Sequence, residues 1–591
     1  ERAQDPELLI AHWQSSRWAE VFFAHAAGET YELATSSGRV TGRVLERQLV
    51  GFREAELAVV LAAGRTLARR ADGVWECWAP AEPLLEPRSS EAQQRTPSLI
   101  DVSLDPTQLG VVELPAQTSV LVLGEAGHGK TTVALHRLAR LFRAARGEFR
   151  ACVLVPTDGL RRLIEPLLRS LGVDVEVELY EHWARRQAQQ VFLDLPERES
   201  QDATAGVIRL KRDPALRVAL RELAEPRQPR PAPKRPTRPK KALARRRDLL
   251  HLFGDRRVLG NVLRGSAQVF GGHVLGELLE HTHVQFSRTS EQEYAHVDAR
   301  RLVAIDGRPL DEGTPLQDAG SIDAEDYAVL FELDRLRAEA RGRLPSEPPQ
   351  YDCLLLDEAQ EFAPLELALI GRSLAPNGCL IVAGDADQQT DATVSFTSWE
   401  QNMRELGCGA YERVVLPVSY RCPPDVARIA RSLLGSATRA ERPEPALLPF
   451  VHFLNECHLS SWLIDELERL AASDPSASVA VICRGPQTAR RLHQALHHKN
   501  LGRLVLDGEF LFRSGINVTH LDQVKGLEFD HVIVPDASPN IYPDTPEARR
   551  ALYVAVTRAR HQLLLGAVAG QTPLLSRSAP APEIGASLQG R

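Results

Sequence analysis

Ser119–Phe142 reads SVLVLGEAGHGKTTVALHRLARLF, and these residues decide the fold. An apolar run, SVLVL, gives way to Gly124-Glu-Ala-Gly-His-Gly-Lys-Thr131, which fits G-x-x-x-x-G-K-[ST]. Beyond it Ala134, Leu135, Leu138, Leu141 and Phe142 recur at helical spacing and form one apolar face. Strand, glycine-rich turn and helix, in that order, are the context in which this spacing binds phosphate. Gly124, Gly127 and Gly129 let successive N–H groups converge on a phosphate chain at a helix N-terminus, with Thr132 just inside it. Lys130, one of only seven lysines in the chain, then reaches the β- and γ-phosphates. Thr131 offers its hydroxyl to Mg2+.

Outward from this segment, short apolar runs alternate with helical stretches from Leu104 onward: ACVLVP, CLLLDE, CLIVAGD, VAVICR, HVIVPD and QLLLGAV. Strands that are apolar on both faces and separated by amphipathic helices imply parallel sheets covered by helices, and there are enough runs for two. The expected class is α/β. The segment YDCLLLDEAQEF ends one run in Asp357-Glu358-Ala359-Gln360. Asp357 at a strand tip supplies the carboxylate a Mg2+ site needs, and Glu358 polarises an attacking water.

The 591 residues, 43% hydrophobic and 25% charged, exclude collagen, wholesale disorder and a membrane bundle. No run nears the ~18 apolar residues of a membrane helix, and no signal architecture opens the chain, so a cytoplasmic protein without membrane contact is expected. Eight scattered cysteines without paired spacing read as buried thiols, not as a structural metal site or disulfide framework. The net charge of −7 leaves no global basic field, so any nucleic-acid contact must be a local basic patch. Pro226–Arg247, with alternating prolines and a block of Lys and Arg, reads both as a solvated tether and as a phosphate-contacting arm.

The order G-x-A-G-x-G-K-T, DEAQ, GDADQ, SYR, KGLEFD, VAVTRAR resembles the UvrD/Rep-type superfamily 1A helicases, from Leu104 to about Val568. That resemblance implies two RecA-like (P-loop NTPase) parallel-sheet domains with ATP in the interdomain cleft. Added to these are an N-terminal α+β region and a long insertion in the first RecA-like domain. The implied boundaries are an accessory region at 1–95 and a first RecA-like domain at 96–179 and 350–430. An insertion follows at 180–349 with the linker 226–247, then a second RecA-like domain at 431–572 and a disordered tail at 573–591. Within 1–95, an Ala/Leu pattern around Glu54–Arg69 reads as helix. The resemblance also implies roles. Gln108 reads adenine, Tyr420 stacks on it and Glu528 contacts ribose. Gln388 senses the γ-phosphate, Arg421 contacts it and Arg558 is the arginine finger. ATP and Mg2+ are the implied cofactors, and single-stranded or duplex DNA the implied partner.

The sequence departs from that family in ways that bear on the partner. The run LVPTDGL lacks the expected base-stacking aromatic, and after GDADQ only Phe396 and Trp399 follow, later than usual. Asp522 stands where the family commonly has histidine, and the short span from Arg421 to Val518 leaves no room for a large accessory domain. These features, with ALHRLARL and FTSWEQNMRELG, resemble the HelD-type branch, which binds RNA polymerase and releases it from nucleic acid. Against that branch, residues 1–95 show no sustained heptads for its coiled-coil arm.

Overall fold

The computed structural model describes residues 30–35, 38–44, 48–53, 56–62, 65–69, 75–78, 104–145, 149–200, 202–225, 244–304, 318–417, 423–434, 450–499, 501–512, 514–568 and 570–576. Tyr420, Arg421, linker residues 226–243 and tail residues 577–591 lie outside these.

Near the N-terminus the described residues are strands. β1 (Thr30–Thr35) and β2 (Gly38–Arg43) pair antiparallel, and β3 (Gln48–Arg53), β4 (Glu56–Ala62), β5 (Arg65–Arg69) and β6 (Trp75–Trp78) form a four-stranded antiparallel sheet. The helix expected over Glu54–Arg69 is therefore two strands, paired from Val59↔Ala68 to Ala62↔Arg65. Ala and Leu favour helix only weakly. Adjacent Val59 and Val60, strand neighbours on both sides and a glycine at 64 outweigh them.

The first lobe is built on a six-stranded sheet, whose strands from β7 onward pair in parallel. β7 (Val120–Leu123), β8 (Ala151–Val155) and β9 (Glu176–Leu179) come first in this lobe, and among its described residues the insertion adds only the short pair β10 (Arg198–Glu199) and β11 (Ser321–Ile322). The chain returns as β12 (Tyr351–Leu356), β13 (Leu374–Gly384) and β14 (Glu412–Val415), giving the order β14-β7-β13-β12-β8-β9. Alternate residues serve two cores: Val120, Val122, Val153 and Leu355 pack toward helices Lys130–Ala144 and Asp158–Ser170. Leu121, Cys152, Leu154 and Leu354 pack toward the helical insertion. Burial on both faces is why these strands read as unbroken apolar runs.

The second lobe repeats the plan. β15 (Phe450–His452), β16 (Ser478–Cys483), β17 (Arg503–Leu504), β18 (Gly515–His520), β19 (Phe529–Val534) and β20 (Ala559–Ala567) form a parallel sheet in the order β15-β20-β19-β16-β18-β17. Helix Pro424–Leu434, through which the expected boundary at 430/431 passes, sits on the second lobe, where Arg549 Nη1 donates to Leu433 O at 2.9 Å. The tail expected to be disordered from 573 begins with a helical turn, Pro573–Ser576, because Leu574 and Leu575 are buried in the core. Among the described residues no helix is long and apolar enough to cross a membrane.

Candidate functional site

β7 ends at Leu123, and the glycine-rich loop turns into helix Lys130–Ala144 through two left-handed glycines, Gly127 (φ 79°) and Gly129 (φ 80°). At Gly129 the left-handed backbone favours glycine, and a Cβ would also stand 2.8 Å from Gln108 Nε2 and displace it. Lys130 Nζ folds over the loop, donating to Gly124 O at 2.9 Å and Glu125 O at 3.0 Å. His128 is buried, its Nδ1 2.7 Å from Leu416 O, and burial holds its imidazole below the ordinary range.

Gln108 supports this loop from behind. Its Oε1 accepts from Asp105 N at 3.2 Å and its Nε2 donates to His128 O at 3.2 Å. The side chain is 4% exposed and does not line the cleft cavity described below. Its amide is thus engaged in shaping the loop, a role the sequence reading did not assign.

The strand tips of β12 and β13 supply the acids. Thr131 Oγ1 donates to Asp357 Oδ2 at 2.7 Å, which joins the hydroxyl and carboxylate expected at Mg2+. Both are hard oxygen donors beside the phosphate loop, the set such an ion prefers. Burial and the neighbouring Glu358 charge push the Asp357 carboxyl up to about 7. Glu358 holds a left-handed backbone (φ 51°, ψ 45°) that turns the chain off the strand.

From Glu358 a continuous run of hydrogen bonds crosses to the second lobe. Gln360 Nε2 donates to Glu358 Oε2 at 2.7 Å, and Gln360 Oε1 accepts from Asp385 N at 3.1 Å. Asp385 Oδ2 accepts from Gln388 Nε2 at 2.8 Å, and Gln388 Oε1 accepts from Arg558 Nη2. Arg558, 3% exposed, is fixed by donating Nε to Val554 O at 3.0 Å and Nη1 to Leu527 O at 3.2 Å. Tyr553 Oη donates to Asp385 Oδ2 at 3.4 Å, and Lys525 Nζ reaches Glu361 Oε2 at 2.8 Å, so the lobes meet at three further buried groups. Gln360, Asp385, Tyr553, Lys525 and Glu361 were missed in the sequence. Gln360, Asp385 and Lys525 lay inside the quoted motifs, and Glu361 directly after DEAQ, but nothing in one dimension shows which of them face each other.

Between the lobes lies a cavity of about 400 Å³. Gly127, Gly129, Lys130, Thr131, Thr132, Glu358 and Gln388 line it from one lobe, and Glu528 and Arg558 from the other. The structure thus gathers nine of the expected site residues around one space. Asp357 and Gly124 sit against it through Thr131 and Lys130. Tyr420 and Arg421 lie outside the described residues.

Of the late aromatics after GDADQ, Trp399 is not free to stack on a ligand, and Phe396 is half-buried against it. Trp399 is 7% exposed, its ring 5.0 Å from that of Phe396 and packed over Gly384, where a Cβ would collide with it at 2.3 Å.

Residues 516–565, which run from β18 through Lys525, Glu528 and Arg558 into β20, match the model of the UvrD-like helicase C-terminal domain. Among solved structures, the chain is similar to the C-terminal domain of a "possible DNA helicase" from Lactobacillus plantarum WCFS1. The identity is 25%, covering 27% of this chain and 95% of that one, with a TM-score of 0.23. No curated protein matches the chain. The family match lies in the second lobe, where the sequence resemblance to the UvrD/Rep-like helicases also ran.

Proposed function

We propose that the chain is an ATP-hydrolysing motor of the UvrD/Rep-like superfamily 1A kind, coupling hydrolysis to movement on, or remodelling of, nucleic acid or nucleoprotein. The observation that carries this reading is the buried hydrogen-bonded path from Glu358 to Arg558, which ties a water-activating carboxylate in one lobe to a guanidinium in the other. Lys130 and the loop N–H groups hold the phosphate chain. Thr131 and Asp357 hold Mg2+, which when bound screens the phosphate charge. Glu358 takes the proton of the attacking water, and Arg558 spreads the charge that builds on the transferred phosphoryl group. Gln388 touches Arg558 and, through Asp385 and Gln360, Glu358, so it registers both ends of the reaction. Glu528, Tyr420 and Arg421 complete the nucleotide contacts in this reading.

Steady-state ATPase assays with nucleotide-binding measurements test it. Lys130→Ala should abolish binding and turnover. Glu358→Gln should bind ATP yet turn over at least ~100-fold more slowly, because it removes the base and leaves the phosphate cradle. Arg558→Ala should lower kcat far more than affinity. Normal turnover in Glu358→Gln would remove it from the mechanism.

A second reading has its own support. Trp399 is buried in the core and the half-buried Phe396 is packed edge-on against it, which limits these rings as a base-stacking platform and favours a polymerase-binding remodeller of the HelD type over an unwinding helicase.

A further inference from the structure

The insertion is wired into the cleft by a second set of contacts, half-buried at Arg212 and buried at Glu361, that the reaction itself does not use. Arg212 ends the insertion helix Ala205–Lys211. Its Nη1 donates to Asp391 Oδ2 at 2.9 Å and Thr393 Oγ1 at 2.6 Å, while Nε faces Glu366 Oε1 at 3.0 Å and Nη2 faces Glu325 Oε1 at 3.4 Å. Asp391 lies three residues beyond Gln388 on one loop. Two backbone N–H groups of that loop, Thr390 and Asp391, donate to Glu361 Oε1 at 2.9 Å and Oε2 at 3.2 Å. Glu361 Oε2 also receives Lys525 of the second lobe at 2.8 Å. Glu361 and Lys525 are 5% and 9% exposed, so neither can leave the other without a new partner.

We propose that Arg212 is a positioning residue for the hydrolytic site. Through Asp391 and Glu361 it sets the loop that carries Gln388, and through Lys525 that setting depends on whether the second lobe is closed. The insertion is then the element through which a load on the motor reaches its ATPase. This rests on the ATPase reading above. The physical argument is that Glu361 carries one carboxylate for two jobs. When Lys525 withdraws, Glu361 is left a buried carboxylate held by the Thr390 and Asp391 N–H groups without a cation, so it shifts and carries with it the loop on which Asp391 meets Arg212. When the insertion pulls Arg212, the loop shifts and both Gln388 and Glu361 leave their places. A shared carboxylate makes the two events one event.

The test compares Arg212→Gln, Lys525→Gln and the double variant for kcat, ATP affinity and the fraction of sites competent to bind. Each single change should lower kcat about tenfold per competent site, with affinity within about twofold, a coupling of the size such networks carry. The double variant should match the worse single one, since both act through Glu361. Arg212→Lys, which keeps charge but loses the fork, should recover part of the rate. Full kcat per competent site in Arg212→Gln, or strictly additive losses, would leave Arg212 as a structural tie and overturn the proposal. Should Arg212→Gln fail to fold, Asp391→Asn breaks the same link and is read by the same criteria. Hydrogen exchange supplies a readout apart from turnover. A non-hydrolysable ATP analogue should protect residues 389–394 and helix Ala205–Lys211 in the unmodified chain, but only the phosphate loop in Lys525→Gln. Protection that persists at the insertion in Lys525→Gln sinks the link and leaves the ATPase reading standing. Absence of any nucleotide binding sinks both.

Discussion

Glu358 sits at φ 51° and ψ 45°, a backbone region that favours glycine and asparagine, with its carboxylate directly after that of Asp357. Such strain costs about 1–3 kcal/mol and persists where surrounding structure enforces it. Here β12 fixes one side and the Gln360 hydrogen bond the other. Two penalties therefore coincide at one residue: a strained backbone and a buried like-charge neighbour. They separate by substitution. Glu358→Gln removes the charge and keeps the strain, whereas Glu358→Asn relieves both. Denaturation of the nucleotide-free chain should rank Asn above Gln above the unmodified protein, the Asn gain being about 1 kcal/mol or more. Both should lose hydrolysis. A chain destabilised by Glu358→Asn would show that the side-chain bond to Gln360 outweighs the strain.

Helix Ala324–Ala340 is buried nearly all round, and its acids survive there only because each has a partner. Lys211 Nζ donates to Asp326 Oδ1 at 2.8 Å and to Asp323, and its ammonium lies 4.7 Å over the Phe253 ring. Burial opposes the charge on Asp323, but Lys211 and His281 overcome it and hold the carboxyl below its ordinary range. That share of stability is complete at neutral pH and drains away on acidification below about pH 4. Lys211→Met leaves Asp326 buried without its cation and Asp323 with only His281 and Gln285 as side-chain partners, and should cost about 3 kcal/mol or more. Adding Asp323→Asn and Asp326→Asn should restore most of it in chemical denaturation. A single-variant loss under about 1 kcal/mol would mean that water reaches the cluster. The same region marks the limit of sequence reading. The apolar strands and the GK[ST] and DEAQ tips were legible because their signal is local: a run, a spacing, a turn. Lys211 and Arg212 carried no such signal, since their partners lie more than 100 residues away. The strands β4 and β5 were misread for a different reason, as pairing across a short hairpin decided what composition could not. Gln108 was placed at the nucleotide; in the fold its Oε1 accepts from Asp105 N at the start of its own helix and its Nε2 holds the phosphate loop at His128 O.

At the scale of the molecule, charge and closure point the same way. With a net charge of −7, the chain cannot draw in a polyanion as a whole, and its densest block of Lys and Arg, Pro226–Arg247, belongs to the insertion. Attraction there is electrostatic and blind to sequence, so it should weaken steeply with salt. A base-stacking motor has a second grip that salt does not screen, and of the rings that could have supplied it after GDADQ, Trp399 is buried in the core and Phe396 is packed edge-on against it. Single-stranded DNA should therefore bind the purified chain weakly, lose affinity sharply between low and physiological salt, and raise the ATPase less than about threefold, with little unwinding of a tailed duplex. Deleting residues 226–243 should flatten the salt dependence and spare basal turnover, because the cleft is built entirely from other residues. On stalled transcription complexes the expectation reverses: ATP, and not the analogue, should release RNA polymerase from its template, and Glu358→Gln should bind without releasing. Strong, processive unwinding by the chain alone would restore an ordinary helicase. Failure to release polymerase, with DNA stimulation equally absent, would leave the motor without either substrate and turn the search toward another nucleoprotein.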